Sequence, residues 1–227
     1  MTSENYLIAI CTLTDEGQQP TLARLAQHCG VSLPTASEAV RRLARDGLAT
    51  VEPRRSVELT PAGREIADTL LRRHRLVERW LTDVLGLDWA TAHEEAHKLE
   101  HAVSAVVEER MAASMDYPTT CPHGNPIVPP SPQERATPLV SLGEVAPGVA
   151  VRLRRISELA EDNHELMEFY EQHGFRPGGE LRVRDRGPLN GPLTVEVAGR
   201  EVAISLEAAA YLWVWPPAAE KQVAAVA

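Results

Sequence analysis

Between Thr21 and Gly47, helix-start and helix-stop signals alternate at a spacing that few folds accept. Thr21 is a good N-cap for Leu22–His28, and Gly30 closes that segment. Val31 and Ser32 lead into a helix over about 34–46, with Pro34 tolerated in its first turn and Gly47 as its stop. Upstream, Tyr6, Leu7, Ile10 and Leu13 recur at helical spacing and predict a helix over 3–15, ended by Gly17 and Pro20. Downstream, residues 48–52 and 56–59 alternate like two short strands about a Pro53-Arg54-Arg55 tip. Three helices and a two-stranded wing are the grammar of a winged helix-turn-helix.

In such a unit the last helix lies in the major groove with its N-terminal side chains at the base edges. Here that end carries Ser32, Pro34, Thr35, Ser37 and Glu38. Ser and Thr bond bases or phosphates, and Pro34 offers an apolar edge to a thymine methyl. Arg24, Arg41, Arg54 and Arg55 are placed to hold phosphates. The net charge of −9 argues against a duplex partner until its distribution is considered. Residues 21–55 hold six arginines against three acids, so the positive charge sits where a DNA reader needs it. The competing reading is a winged helix for protein contacts, with Arg41, Arg42 and Arg45 as a solvated face.

Thr60-Pro61 starts a long helix to about residue 85, and Gly86-Leu87-Asp88 turns the chain into a second, from after Asp88 to about Met115. Ala96, Leu99, Val103, Val106 and Val107 give this second helix apolar surface suited to a dimer interface. Seven prolines mark 116–138 as loop and linker. Short β-runs follow at 139–142, 149–156, 179–184, 193–197 and 202–205, interrupted by one helix over about 163–173. This outlines a small SH3-like barrel ending at Leu212-Trp213-Val214. The expected architecture is α+β and multidomain: a winged helix-turn-helix DNA-binding domain (1–62), a helical dimerisation and metal-binding domain with its Pro-rich linker (63–137), and an SH3-like domain (138–227).

The two long helices concentrate metal-ligating chemistry. His93, His97 and His101 are spaced i, i+4, i+8, Glu100 lies one turn from His97, and the preceding helix offers His74 and Glu78. Imidazole with carboxylate suits zinc, iron, manganese, cobalt or nickel. His93-Glu94-Glu95-Ala96-His97 also matches the metalloprotease pattern HExxH literally, but it is short and follows a DNA reader directly. A non-enzymatic role is expected. Cys11, Cys29 and Cys121 form no close CxxC pair, which argues against a disulfide framework and a thiolate zinc knuckle. With no long apolar run and no signal peptide, the expected location is the cytoplasm, away from membranes.

These residues resemble the diphtheria-toxin-repressor family, which includes iron-dependent and manganese-transport regulators. The resemblance runs from Glu4-Asn5-Tyr6-Leu7 through Thr35-Ala36-Ser37-Glu38, Arg73-His74-Arg75-Leu76-Val77-Glu78 and His93–His101 to Cys121-Pro122-His123-Gly124-Asn125-Pro126-Ile127 and the barrel. It implies a homodimer that binds divalent metal, Mn²⁺ or Fe²⁺ by family, and represses metal-uptake genes by gripping operator DNA. It implies one metal site from Asn5, His97, Glu100 and His101, and another from His74, Glu78 and His93 plus barrel ligands, with Asp162, Asn163 and Glu165 as candidates. The Cys-Pro-His loop makes Cys121 a further candidate ligand, against the alternative of a free loop thiol. Iron-type members usually have Met and Cys where this chain has Asn5 and His97, and manganese-type members Asp and Glu. Amide and imidazole in place of two carboxylates favour Fe²⁺, Zn²⁺, Co²⁺ or Ni²⁺ over a hard ion such as Mn²⁺. The alternatives are a DNA-binding regulator with a purely structural zinc site, a metallohydrolase, and a metal-independent regulator whose barrel binds a ligand.

Overall fold

A computed structural model describes residues 2–51, 56–128 and 138–216. The wing tip with Arg54 and Arg55, and residues 129–137 of the Pro-rich linker, lie outside the described residues. The chain forms two compact units, Met1–His74 and Arg75–Ala227.

In the first unit, α1 (Ser3–Asp15), α2 (Leu22–His28) and α3 (Leu33–Arg45) are capped by Thr2, Thr21 and Ser32, each accepting from the backbone N–H three residues on. Their apolar faces bury Tyr6, Leu7, Ile10, Leu25, Val40 and Leu43. Strands β1 (Ala49–Val51) and β2 (Val57–Leu59) pair antiparallel as the wing. Helix α4 (Pro61–Asp83) begins so close to the wing's base that a Cβ on Gly63 would stand 2.0 Å from the Leu48 carbonyl oxygen, which only glycine avoids.

In the second unit, α5 (Trp89–Leu99) is capped by Asp88 and α6 (Ala105–Ser114) by Ser104. The single helix expected to run on to Met115 is therefore two helices. Glu100 is the C-cap of α5, and the Ser104 hydroxyl accepts from Val107 N–H at 3.4 Å to start α6. Local side-chain capping has won over a continuous apolar spacing. His101 consequently lies in the turn between helices, not a third turn along one helix face.

Beyond the linker, β3 (Val140–Ser141), β4 (Ala150–Ile156), β5 (Glu180–Arg186), β6 (Leu193–Val197), β7 (Arg200–Ile204) and β8 (Leu212–Val214) form one antiparallel sheet in the order β3-β8-β4-β5-β6-β7. Register shifts at Leu153/Arg155 and Val183/Asp185 bend it into the SH3-like shape. The one expected helix is accompanied by two short ones: α7 (Glu158–Glu161) precedes α8 (His164–His173), and α9 (Leu206–Ala210) leads into β8. The segment expected as a strand at 139–142 ends in a 3₁₀ turn, Leu142–Glu144. Trp89 and Ala90 at the start of α5 are buried in the same core as Leu153, Tyr170, Phe175 and Val195, so α5 is built into the barrel rather than tethered to it. No helix among the described residues is long and apolar enough to cross a membrane.

Candidate metal centre and nucleic-acid interface

Helix α5 presents His93 and His97 one turn apart on one face, while the neighbouring Glu94 and Lys98 are exposed. His93 is buried, and its Nδ1 lies 2.7 Å from Glu78 Oε1 on α4, where Glu78 is completely buried. Its Nε2 lies 3.4 Å from Asp162 Oδ1. Burial alone would lower the His93 pKa. The bonds to Asp162 and Glu78 outweigh it and push the pKa up to about 11. His74 is also buried, and the unbroken helix carries it one turn before Glu78.

A second side of Glu78 faces the loop at 121–127. Glu78, Cys121 and His123 each offer a ligand atom within 4.8 Å of the others, and all three are buried. His123 Nδ1 lies 3.1 Å from Glu161 Oε1 and 3.8 Å from Glu78 Oε2. The loop is clamped to the barrel: Asn125 Nδ2 donates to Glu161 Oε1 (2.7 Å) and to the Ile156 carbonyl (3.0 Å), and Arg75 donates to Glu158 (2.6 Å) and the Pro126 carbonyl (2.7 Å). Gly124, at φ +86°, sits where a Cβ would meet the Arg154 carbonyl oxygen at 2.4 Å.

Two buried carboxylates in one pocket repel each other. The Glu161 pKa is raised by burial first and then by Glu78. The Cys121 thiol is pushed well up by burial and by the same two carboxylates. For His123, burial lowers the pKa, but Glu161 and Glu78 together more than reverse it. Among the described residues, His123 Nε2 is fully buried without a hydrogen-bond partner. Such a group is costly unless a further species satisfies it, and a divalent cation would balance the carboxylates and engage the imidazole together. The donor set of carboxylate, imidazole and thiol therefore fits a transition metal.

On the outer side, His97 Nδ1 lies 3.7 Å from the buried Glu100, and Glu100 Oε1 lies 3.2 Å from His101 Nε2. Asn5 is engaged in a capping box, where its Oδ1 accepts from the Thr2 backbone N–H (2.8 Å) and hydroxyl (2.6 Å). Of the three barrel candidates, Asp162 touches both histidines and Asn163 caps α8. Glu165, an equal candidate from sequence, is exposed in the first turn of α8. Sequence reading missed Glu161 and His123. The adjacent Glu161-Asp162 pair and the Cys121-Pro122-His123 spacing were the available signals. Cys121 is a free thiol, and it is buried beside Glu78 and His123. The motif glutamate of the HExxH match, Glu94, is exposed and lies 3.3 Å from His164.

On α3, Pro34, Thr35, Glu38 and Arg41 are exposed and Ser37 is half-buried. Arg24 is exposed on α2 and donates to the Gln19 carbonyl at 3.1 Å. The Ser32 hydroxyl is occupied by capping α3 and by the Thr35 hydroxyl at 2.8 Å. Glu38 lies 4.0 Å from Arg41 and 3.9 Å from Arg45.

Three family profiles match in order: an iron-dependent repressor N-terminal DNA-binding domain at residues 1–57, an iron-dependent repressor metal-binding and dimerisation domain at 60–129, and a FeoA domain at 140–216. The chain is 38% identical over 209 residues to the iron-dependent repressor IdeR of Mycobacterium tuberculosis, covering 88% of this chain and 90% of that one. It is 34% identical over 210 residues to the diphtheria toxin repressor of Corynebacterium diphtheriae, covering 89% and 92%. Among solved structures, a manganese-dependent transcriptional repressor in complex with manganese superposes with a TM-score of 0.81 at 32% identity over 94% of this chain and 99% of that one. ScaR with bound Zn²⁺ gives 0.75 at 29% identity, over 94% and 99%.

Proposed function

The chain belongs to the iron-dependent repressor family of IdeR and the diphtheria toxin repressor, and from that premise we propose that it is a homodimeric repressor that binds operator DNA of metal-uptake genes with a divalent metal ion as co-repressor. One observation carries the metal half of this reading: Glu78, His93, Cys121, His123 and Glu161 converge in a buried pocket whose charges and unsatisfied ring nitrogen need a cation. The relatives named for iron and manganese support a co-repressor of that class. Asn5 and His97 extend the candidates to Zn²⁺, Co²⁺ and Ni²⁺.

His74, Glu78 and His93 would hold one ion, with Asp162 or Glu161 as the barrel carboxylate and Cys121 and His123 alongside. His97, Glu100 and His101 would hold another, joined by Asn5 once its side chain leaves Thr2. The bound ion supplies positive charge that these donors share. The rest is done by the chain: α1 is ordered against its ligands, and the two reading heads of the dimer are held at the spacing of successive major grooves, about 34 Å. Arg24, Arg41, Arg54 and Arg55 would position the phosphates, while Ser32, Pro34, Thr35, Ser37 and Glu38 would face the bases. Val106 and Val107, 73% and 44% exposed on α6, supply apolar surface for the dimer. The domain limits we adopt are 1–62, 63–137 and 138–227, and the location is cytoplasmic.

In the HExxH pattern the glutamate after the first histidine serves as the general base at the metal, and here Glu94 is exposed and lies against His164 instead, so the chain is read as non-enzymatic. The full burial of Cys121 and His123 favours a second reading for the inner pocket alone, a structural ion whose removal unfolds the chain. Linkage tests the gating reading: operator duplex should raise metal affinity by the same factor as metal raises operator affinity. Metal uptake indifferent to the duplex, with unfolding on chelation, supports the structural reading instead.

A further inference from the structure

The two ring nitrogens of His97 face two different sets of donors. Nδ1 lies 3.7 Å from Glu100 Oε2, and the other oxygen of Glu100 lies 3.2 Å from His101 Nε2. Nε2 lies 3.1 Å from His93 Nε2 and 3.9 Å from Asp162 Oδ1, while His93 Nε2 and Asp162 Oδ1 are 3.4 Å apart. Nitrogen and oxygen ligands about 2.0–2.2 Å from one ion stand roughly 3–3.5 Å from each other. The His93–His97–Asp162 atoms are near that spacing throughout, and on the other side Glu100 comes near it to His97 and to His101 in turn.

The arrangement is built rather than accidental. The bond from His93 Nδ1 to Glu78 fixes which edge of the His93 ring turns toward His97, the usual way a neighbouring carboxylate orients a metal-ligating imidazole. The His93 and His97 rings meet edge to face, with centroids 4.5 Å apart and planes at 80°. Helical spacing on α5 holds them one turn apart, and Glu100, completely buried at the C-cap, is held at the far edge.

We propose that His97 is a ligand common to both metal positions. Its Nδ1 completes the Glu100–His101 set and its Nε2 the His93–Asp162 set, so one ring links two divalent ions. Filling both positions displaces the ring's last N–H proton to solvent, and the two dications stabilise the anionic ring that results. This rests on the metal-binding reading above. It adds that the two positions act as one unit, because the loss of one side chain disables both.

The test is Co²⁺ uptake by the full chain, followed by equilibrium dialysis and by the visible and electron-paramagnetic-resonance spectra of the ion. His101→Ala should weaken one uptake step and Asp162→Ala the other. His97→Gln, which keeps a hydrogen-bonding side chain but no second nitrogen ligand, should weaken both steps by about 10–100-fold. In the unmodified chain, filling the second position should quench the resonance signal of the first by exchange through the ring, a readout that needs no variant. A His97→Gln chain that keeps either step at full affinity, a chain that takes up one Co²⁺, or strictly additive resonance intensity would overturn the proposal. These readouts do not involve DNA. A coupled pair of ions in a chain that ignores duplex would refute the repressor reading and leave this one standing.

Discussion

His93 Nδ1 lies 2.7 Å from Glu78 Oε1, and both side chains are buried, so a proton or a metal ion must hold this pair together. Without metal, the proton does so. The folded pKa of His93, about 11, stands above its unfolded value of 6.5, and His123 and Glu161 are shifted in the same direction. The stabilisation from His93 is complete below about pH 6.5 and is lost as pH rises through the folded value. The chelated chain should therefore melt at lower temperature at pH 9 than at pH 7, with His93 contributing at most about 1.4 kcal/mol per pH unit. The same protons compete with metal, so metal affinity should rise over that interval. A melting temperature of the chelated chain that climbs from pH 7 to pH 9 contradicts this account.

Arg75 and Glu158 make a second buried pair, with side chains 13% and 10% exposed, and Arg75 also anchors the Pro126 carbonyl. Arg75→Ala removes the cation from this buried pair, which should cost about 3–5 kcal/mol in urea unfolding. It also releases the loop that carries Cys121 and His123, so metal affinity should fall in the same variant. An unchanged unfolding midpoint would show that the clamp contributes nothing.

Ser104 distinguishes two helices from one. As the N-cap of α6, its replacement by Ala should destabilise the chain by about 1 kcal/mol. Inside a continuous helix the same change would be neutral or stabilising, because Ala is the better helix former. Thermal melts of Ser104→Ala read the sign directly.

On α3, Arg41 and Glu38 should fail in different ways. Arg41→Ala should weaken binding to all duplexes alike and reduce the slope of log affinity against log salt by about one. Glu38 can only accept, so it suits the cytosine N4 donor, whereas Glu38→Gln should favour adenine at the contacted position. Selection of bound sequences by the two proteins checks this, and identical selected sites would remove Glu38 from base readout.

Much of this was legible in the sequence because caps, glycine stops and helical periodicity are local. Thr21, Ser32 and Gly47 bounded α2 and α3, and the i, i+4 spacing of His74/Glu78 and His93/His97 marked the metal helices. The break after Glu100 was masked because Val103, Val106 and Val107 continue an apolar spacing across it. Glu161 and His123 reach Glu78 from segments far away in sequence, through a loop fixed by Asn125 and Arg75, and no local pattern encodes such an approach. Glu165 looked as good as Asp162 from sequence, and only the turn between α7 and α8 separates them.

The central claim is gating, and one titration addresses it most directly. Affinity for the DNA upstream of the chain's own gene is measured at fixed salt as free Mn²⁺, Fe²⁺, Zn²⁺, Co²⁺ or Ni²⁺ is raised from chelated conditions, beside a His97→Ala/His101→Ala variant. The account expects affinity to rise with at least one ion, to saturate where metal uptake saturates, and to stay at the chelated level in the variant. Equal affinity at every metal concentration, in both proteins, would contradict it and leave these histidines as scaffold.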